Sequence, residues 1–336
     1  MPATMKDVAT RAGVSLKTVS RVVNREPHIR PETMARVEAA IAELGWVPNP
    51  SARSLRTGRT GTIGIVVAEL RRPYLAMLVE ALVHEAERLG LTATVEPTHR
   101  RPRRISEVLG ERGHLYDGVL LIDPEDLEPV TWDQAQQPVV VIQGGSWQAP
   151  VDRVDEDVVE AAGLVARHLG VMGRTRPVLL GPDRARTETD RENLSAALRA
   201  ALSAVGIEAG AVPRVSLGGV GDRRAGAAAA AEALEVRPDL DALLCVNDEV
   251  AIGALSCLVE RGVAVPDDVA IIGYDNLADG QFSTPTLTTI DPSPAGLARA
   301  ALELLTDRLR GGAPAAARQV TVPVTLVRRE STMGMP

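Results

Sequence analysis

The sequence predicts an all-α unit over residues 1–47, a linker over 48–60 and an α/β body over 61–336. Three observations predict it. Residues 4–24, TMKDVATRAGVSLKTVSRVVN, read as two short helices broken at Gly13. From Gly61 onward, apolar strand-like runs alternate with helical stretches, the pattern of open parallel sheets covered by helices on both faces. The body is also longer than one comfortable sheet needs and fits two.

In the front unit, Thr4 and Asp7 form a capping box for the first helix. Val8, Ala9 and Ala12 share its inward stripe, and Gly13 leaves the helix with positive φ. Ser15 caps the second helix, which turns Val19, Val22 and Val23 inward and Leu16, Lys17 and Arg21 outward. A third helix starts at Pro31, carries Val37, Ala40, Ile41 and Leu44 as its apolar stripe, and ends at Gly45. Pro48 and Pro50 then stop regular structure. Ser51 to Arg56 allow one or two helical turns, too few to be stable alone in water. In the body, strands are expected at GTIGIVVA, DGVLLI, PVVVI, PVLLG, AVPRVSL, ALLCV and VAIIGY, with a helix from Leu75 to Leu89.

Composition narrows the function. Of 336 residues 45% are hydrophobic, so a sizeable core is available, and one Phe, three Tyr and three Trp leave it mostly aliphatic. No apolar run reaches the length of a membrane span, and the N-terminal stretch does not read as a secretory signal. Cys245 and Cys257 are too few for a disulfide framework or a four-cysteine zinc site. They fit reduced thiols in a cytoplasmic protein. The net charge of −7 is unevenly spread: residues 1–60 carry +5 and the rest −12. A basic end on an acidic body suits a chain of which one end touches DNA, because phosphate attraction needs a local positive surface.

The second helix has the shape to enter a major groove. Arg21 can form a bidentate pair with guanine, and Lys17 can reach guanine acceptors or a phosphate. Leu16 either touches a thymine methyl or is an incidental exposed leucine. Ser15, Thr18, Ser20 and Asn24 suit phosphate contacts that fix register, or serve as caps and solvated positions. Catalysis lacks support: there is no P-loop, dinucleotide fingerprint, HExxH or nucleophile elbow, and neither a metal site nor a cofactor is expected.

Three stretches make the chain similar to LacI-type regulators, the lactose-repressor/purine-repressor family: MKDVATRAGVSLKTVSRVVN, RPETMARVEAAIAELGWVPNPSARSLRTGRTGTIGIVV and the body. The resemblance implies that Leu16, Lys17 and Arg21 read base edges of a half-site. It implies that Leu55 wedges into the minor groove from a hinge helix, with Ala52 beside it and Arg53 and Arg56 near the backbone. Paired hinges imply a homodimer on a palindromic double-stranded operator. For the body it implies two lobes resembling periplasmic sugar-binding proteins, about 61–160 with 291–320 and 161–290 with 321–336, and a small-molecule effector between them. That effector is most often a sugar or sugar derivative, with a purine or no ligand as alternatives. Arg191, Asn247 and Asp275 correspond to effector-contacting positions, whereas Asp248 more often caps or stabilises the following helix. Tyr74 keeps one aromatic of the first cleft loop. Trp147 and Phe282 either contact the ligand or pack against loops. Arg71 and Arg72 depart from the smaller polar residues of the family, and so either favour an anionic effector such as a sugar phosphate or are surface charge. Asn193-Leu194 also departs, from the family's Gly-Phe. A free periplasmic binding protein fits the body but not the basic front, and binding to a palindromic duplex with a steep salt slope separates the two readings.

Overall fold

A computed structural model describes residues 3–23, 28–46, 59–110, 113–124, 135, 137–143, 150–181, 197–207, 212–218, 221–311 and 316–334. The chain divides into two units, Met1–Thr60 and Gly61–Pro336.

The first unit is helical throughout its described elements: α1 (Met5–Ala12), α2 (Leu16–Val23) and α3 (Pro31–Leu44). Thr4 and Asp7 form the reciprocal capping box of α1, with the Thr4 N–H donating to Asp7 Oδ2 at 2.9 Å. Gly13 ends α1 in the left-handed region at φ 62°, a conformation that a Cβ disfavours. Ser15 Oγ then accepts from the Thr18 N–H at 3.1 Å and caps α2. The apolar stripes meet in one small core, Val8, Ala9, Ala12, Val19, Val22, Val37, Ala40 and Trp46, with Val23, Ile41 and Leu44 partly buried at its margin. An ion pair between Arg11 and Glu43 at 2.6 Å ties α1 to α3 on the outside.

The second unit holds two six-stranded sheets. Sheet A contains β1 (Thr62–Val67), β2 (Thr92–Pro97), β3 (Gly118–Ile122), β4 (Val139–Ile142) and β5 (Asp152–Glu156), together with β11 (Gln319–Val322), in the order β11-β5-β4-β3-β1-β2. Sheet B contains β6 (Pro177–Gly181), β7 (Arg214–Ser216), β8 (Ala242–Cys245), β9 (Ala270–Tyr274), β10 (Thr288–Asp291) and β12 (Thr325–Val327), in the order β12-β10-β9-β8-β6-β7. All recorded pairings are parallel except that of β12 with β10. The chain crosses between sheets after β5, β10 and β11. These are the parallel α/β lobes expected from the strand–helix alternation.

Alternate residues explain why the strands read as continuous apolar runs. Ile63, Ile65, Leu120 and Ile122 face α4 (Pro73–Arg88) and a later helix over Pro294–Leu309, while Val66, Val119, Leu121 and Val141 face α5 (Pro102–Leu109). In sheet B, Leu243 and Ile271 face α7 (Arg223–Val236) and α8 (Asp248–Glu260), while Leu244 and Ile272 face α6 (Val158–Val171) and the helical residues 197–204. With both faces covered, each strand residue has an apolar neighbour.

Two buried carboxylates brace these sheets in opposite electrostatic states. Asp152, in β5, receives the Arg308 guanidinium at 2.6 and 2.9 Å and that of Arg318 at 3.1 Å. Burial pushes its carboxyl up, but these partners outweigh that and hold it below its ordinary value. Asp248, at the start of α8, is fully buried and accepts from the Leu277 N–H at 2.7 Å and the Thr289 hydroxyl at 2.6 Å. Among the described residues no guanidinium pairs with it directly, and burial raises its pKa from 3.8 to about 7. The folded chain therefore holds this proton more tightly than the unfolded chain. The associated stability is complete below about pH 4 and is lost as the pH climbs to about 7. Urea midpoints measured across that window should fall more for the native chain than for Asp248→Asn, and parallel curves would show that Asp248 does not titrate there.

Candidate functional sites: an exposed reader helix and a two-lobe cleft

On α2 the buried residues Val19 and Val22 fix which side meets the core, so Leu16 and Lys17 stand exposed and Arg21 lies at the edge, half-buried. Lys17 and Arg21 are four residues apart and share one side of the helix. Ser15 is exposed but occupied as the cap of α2, where its hydroxyl also lies 2.9 Å from that of Thr18. Thr18 and Ser20 are half-buried beside it. Asn24 and the hinge residues Ala52, Arg53, Leu55 and Arg56 lie outside the described residues.

In the second unit a cavity of about 860 Å³ lies between the sheets, where the C-terminal ends of strands from both lobes converge. Lobe 1 supplies Asp123, Gln143 and Glu156, from the ends of β3, β4 and β5, and Arg72 and Tyr74 from the start of α4. Lobe 2 supplies Asn247 after β8 and Tyr274 and Asp275 at the end of β9. Arg100, Asp123, Gln143 and Asp275 line it with positive φ, Asp275 at 111°. Non-glycine residues hold such backbone at a cost, and that strain gathers where side chains must be aimed.

The polar atoms of the cleft fall into engaged and unengaged groups. Gln143 Nε2 donates to Tyr74 Oη at 2.8 Å and to Glu156 Oε2 at 3.0 Å. Burial, then the charges of Glu156 and Asp275, push the Tyr74 phenol well up, so it stays a neutral hydroxyl. Burial, then Asp248, likewise raises Asp275 far above the carboxylate range, and burial raises Glu156. The backbone of Asp275 is held by its N–H bond to Ile290 O at 2.9 Å, and the next residue by Asn276 Nδ2 to Asp291 at 2.9 Å and by Arg329 to Asn276 Oδ1 at 2.7 Å.

The structure places the expected cleft residues differently from one another. Asn247 lines the cavity, but its Oδ1 accepts from the Val250 N–H at 2.8 Å and its Nδ2 donates to Gly221 O at 3.0 Å. It is Asn247 that caps α8, while Asp248 sits behind the cleft and props the Asp275 loop through Leu277 and Thr289. Phe282 is 86% exposed and lies outside the cavity lining, because the short 3-10 turn at Ala278–Gln281 carries it away. Arg71 and Arg72 face carboxylates: Arg71 pairs with Glu69 at 2.5 Å and Arg72 with Glu249 at 3.0 Å. Tyr74 and Asp275 do line the cavity, and Trp147 and Arg191 lie outside the described residues. Gln143 and Glu156 were missed: Gln143 directly follows the expected strand PVVVI, the signal that singled out Asp275, whereas the polar strand that Glu156 ends is not legible as one. Among the described residues no His/Cys/Asp/Glu group could hold a metal, and no helix is long and apolar enough to cross a membrane.

Residues 4–49 match the bacterial regulatory proteins of the lacI family, and residues 166–332 match the periplasmic binding protein-like domain. The HTH-type transcriptional repressor PurR of Mannheimia succiniciproducens is 32% identical over 313 residues, covering 91% of this chain and 92% of that protein. This chain belongs to the LacI family. Among solved structures, the lac repressor dimer bound to operator and the anti-inducer ONPF superposes on this LacI-family chain with a TM-score of 0.83 at 27% identity, covering 99% of each. The regulator CelR in its cellobiose complex does so at 0.70 and 28%, covering 98% of this chain and 99% of that one. The LacI-family chain is thus a DNA-binding transcriptional repressor by family, with a helix-turn-helix unit and a periplasmic-binding-protein-like body; the family is one of regulators, not enzymes.

Proposed function

We propose that this repressor acts in the cytoplasm as a homodimer on a palindromic operator, and that a small carbohydrate-like molecule bound in the cleft controls it. One observation carries the reading above all: a helix with Lys17 exposed opposite its buried valines precedes, on the same chain, an acceptor-rich cavity between two lobes. Leu16, Lys17 and Arg21 read base edges; Ser15, Thr18, Ser20 and Asn24 meet the backbone; Leu55 enters the minor groove at the dyad, flanked by Ala52, Arg53 and Arg56. In the cleft Asp275, Tyr74 and Gln143 exchange hydrogen bonds with ligand hydroxyls, joined by Arg191 and Trp147. A cellobiose-bound structural relative supports a sugar. A purine is the second reading, favoured by relatives named PurR.

Control follows from linkage. If the effector prefers one spacing of the lobes and the operator another, each alters the affinity of the other by the same factor. The test is a fluorescence-anisotropy titration of a labelled palindromic duplex with the full chain, repeated across salt and with sugars or nucleobases added. A steep salt slope and a ligand-dependent midpoint are expected, and the direction of the shift tells inducer from corepressor. A midpoint that no sugar or nucleobase moves rejects cleft control.

A further inference from the structure

The arginines that the described residues bring to the cleft are all engaged with carboxylates. Arg72 reaches from lobe 1 to Glu249 of lobe 2 at 3.0 Å and to Gly221 O at 3.4 Å. Arg100 pairs with Glu69 at 3.0 Å, and Arg153 with Asp155 at 2.8 Å. Asp157 is used as a cap, accepting from the Glu160 N–H at 2.9 Å. Asp123 also has a partner of its own. What remains is a pair of carboxyls on opposite walls: Glu156, closing β5, and Asp275, following β9. Among the described residues neither has a cation within ion-pair distance, and Arg72, whose charge Asp275 feels, is bonded elsewhere. Tyr274 Oη, on the same cavity wall, is buried without a hydrogen-bond partner among the described residues. Arg191, which the proposed function brings to the ligand, belongs to residues 182–196, where three arginines stand among four carboxylates, and residues 144–149 hold no charge.

We infer that the effector carries a protonated amino group, seated between Glu156 of one lobe and Asp275 of the other, so that an amino sugar is the class of carbohydrate that fits. This rests on the cleft being the effector site. Asp275 is buried and Glu156 partly so. Carboxyls withdrawn from water without a cation are costly, and a ligand ammonium supplies the missing partner to both lobes at once. The raised carboxyls of Glu156 and Asp275 are what that absence produces, and a bound cation reverses it. A phosphorylated sugar brings charge of the wrong sign to the same walls. The unpartnered Tyr274 hydroxyl adds a site for a ring hydroxyl.

The test uses the full chain. Thermal unfolding is followed with glucosamine, galactosamine and mannosamine, each beside its neutral hexose and its hexose 6-phosphate. At least one amino sugar should raise the unfolding temperature while its two counterparts do not. No response to any amino sugar, or an equal response to the neutral or phosphorylated member, overturns the inference. Calorimetry on Glu156→Gln, with its fold checked by circular dichroism, should then show the active amino sugar bound at least about thirtyfold more weakly; undiminished affinity overturns it as well. A neutral hexose that binds would remove the amino group and leave the cleft reading standing, whereas silence from every sugar removes the carbohydrate reading too.

Discussion

Arg21→Ala should weaken binding to the cognate operator by about 1–3 kcal/mol for each half-site, roughly 5- to 150-fold, and weaken binding to random DNA far less. The difference comes from geometry. Val19 and Val22 are anchored in the small core, so α2 cannot rotate to hide the side that carries Lys17 and Arg21. A guanidinium presented from an α-helix in the major groove can span O6 and N7 of one guanine, and only sequence that offers guanine there returns the two hydrogen bonds. On random duplex Arg21 is one charge among several and contributes only to the salt-dependent attraction. Because α1 carries its own capping box and packs on α3 through Arg11 and Glu43, the substitution should leave the unit folded. Equal losses on operator and random duplex would make Arg21 a phosphate contact.

Gly253→Ala should destabilise the body by about 3 kcal/mol or more. Helices α7 and α8 cross so closely that a Cβ on Gly253 would lie 1.8 Å from Arg223 O, and one on Gly226 would lie 2.2 Å from Val250 O. Both obstructions are backbone, so no rotamer change relieves them. The helices would have to separate, opening the layer that buries Ala229, Ala230, Val250 and Ala254 against sheet B. Since α8 carries Asn247 at its cap and Asp248 in its first turn, separation would also loosen the loop that aims Asp275. Chemical denaturation of the two chains measures the loss, and a midpoint within error of the native chain would mean that the crossing is not rigid.

How much of this was legible beforehand depended on whether a residue's role is local. Caps and stripes at Thr4, Gly13, Ser15 and Val19 follow from chain-local geometry, and the apolar strands announced themselves because both faces of each sheet are covered. The strands that escaped notice are polar. In β5 the run DRVDE belongs to a sheet because Arg308 and Arg318, from distant segments, neutralise Asp152; nothing nearby in the sequence signals them. At the edge of sheet A, β2 has one strand partner among the described residues, and its first four residues alternate exposed with partly buried. The same logic explains the exchange of roles between Asn247 and Asp248. Which of two adjacent polar residues caps a helix and which is buried depends on Leu277 and Thr289, far along the chain. Tyr74 and Asp275 line the cavity, Tyr74 from the start of a helix and Asp275 from the end of a strand. Phe282 lies outside the lining because a turn intervenes.

The most direct measurement is selection of the full chain on a library of randomised duplexes. Recovery of an inverted repeat, with two half-sites related by a dyad and with a guanine whose enrichment disappears in Arg21→Ala, is the expected outcome. Failure to enrich any sequence, or enrichment of the same sequences by the native chain and by Arg21→Ala, would contradict a reader helix that presents Lys17 and Arg21 to the major groove.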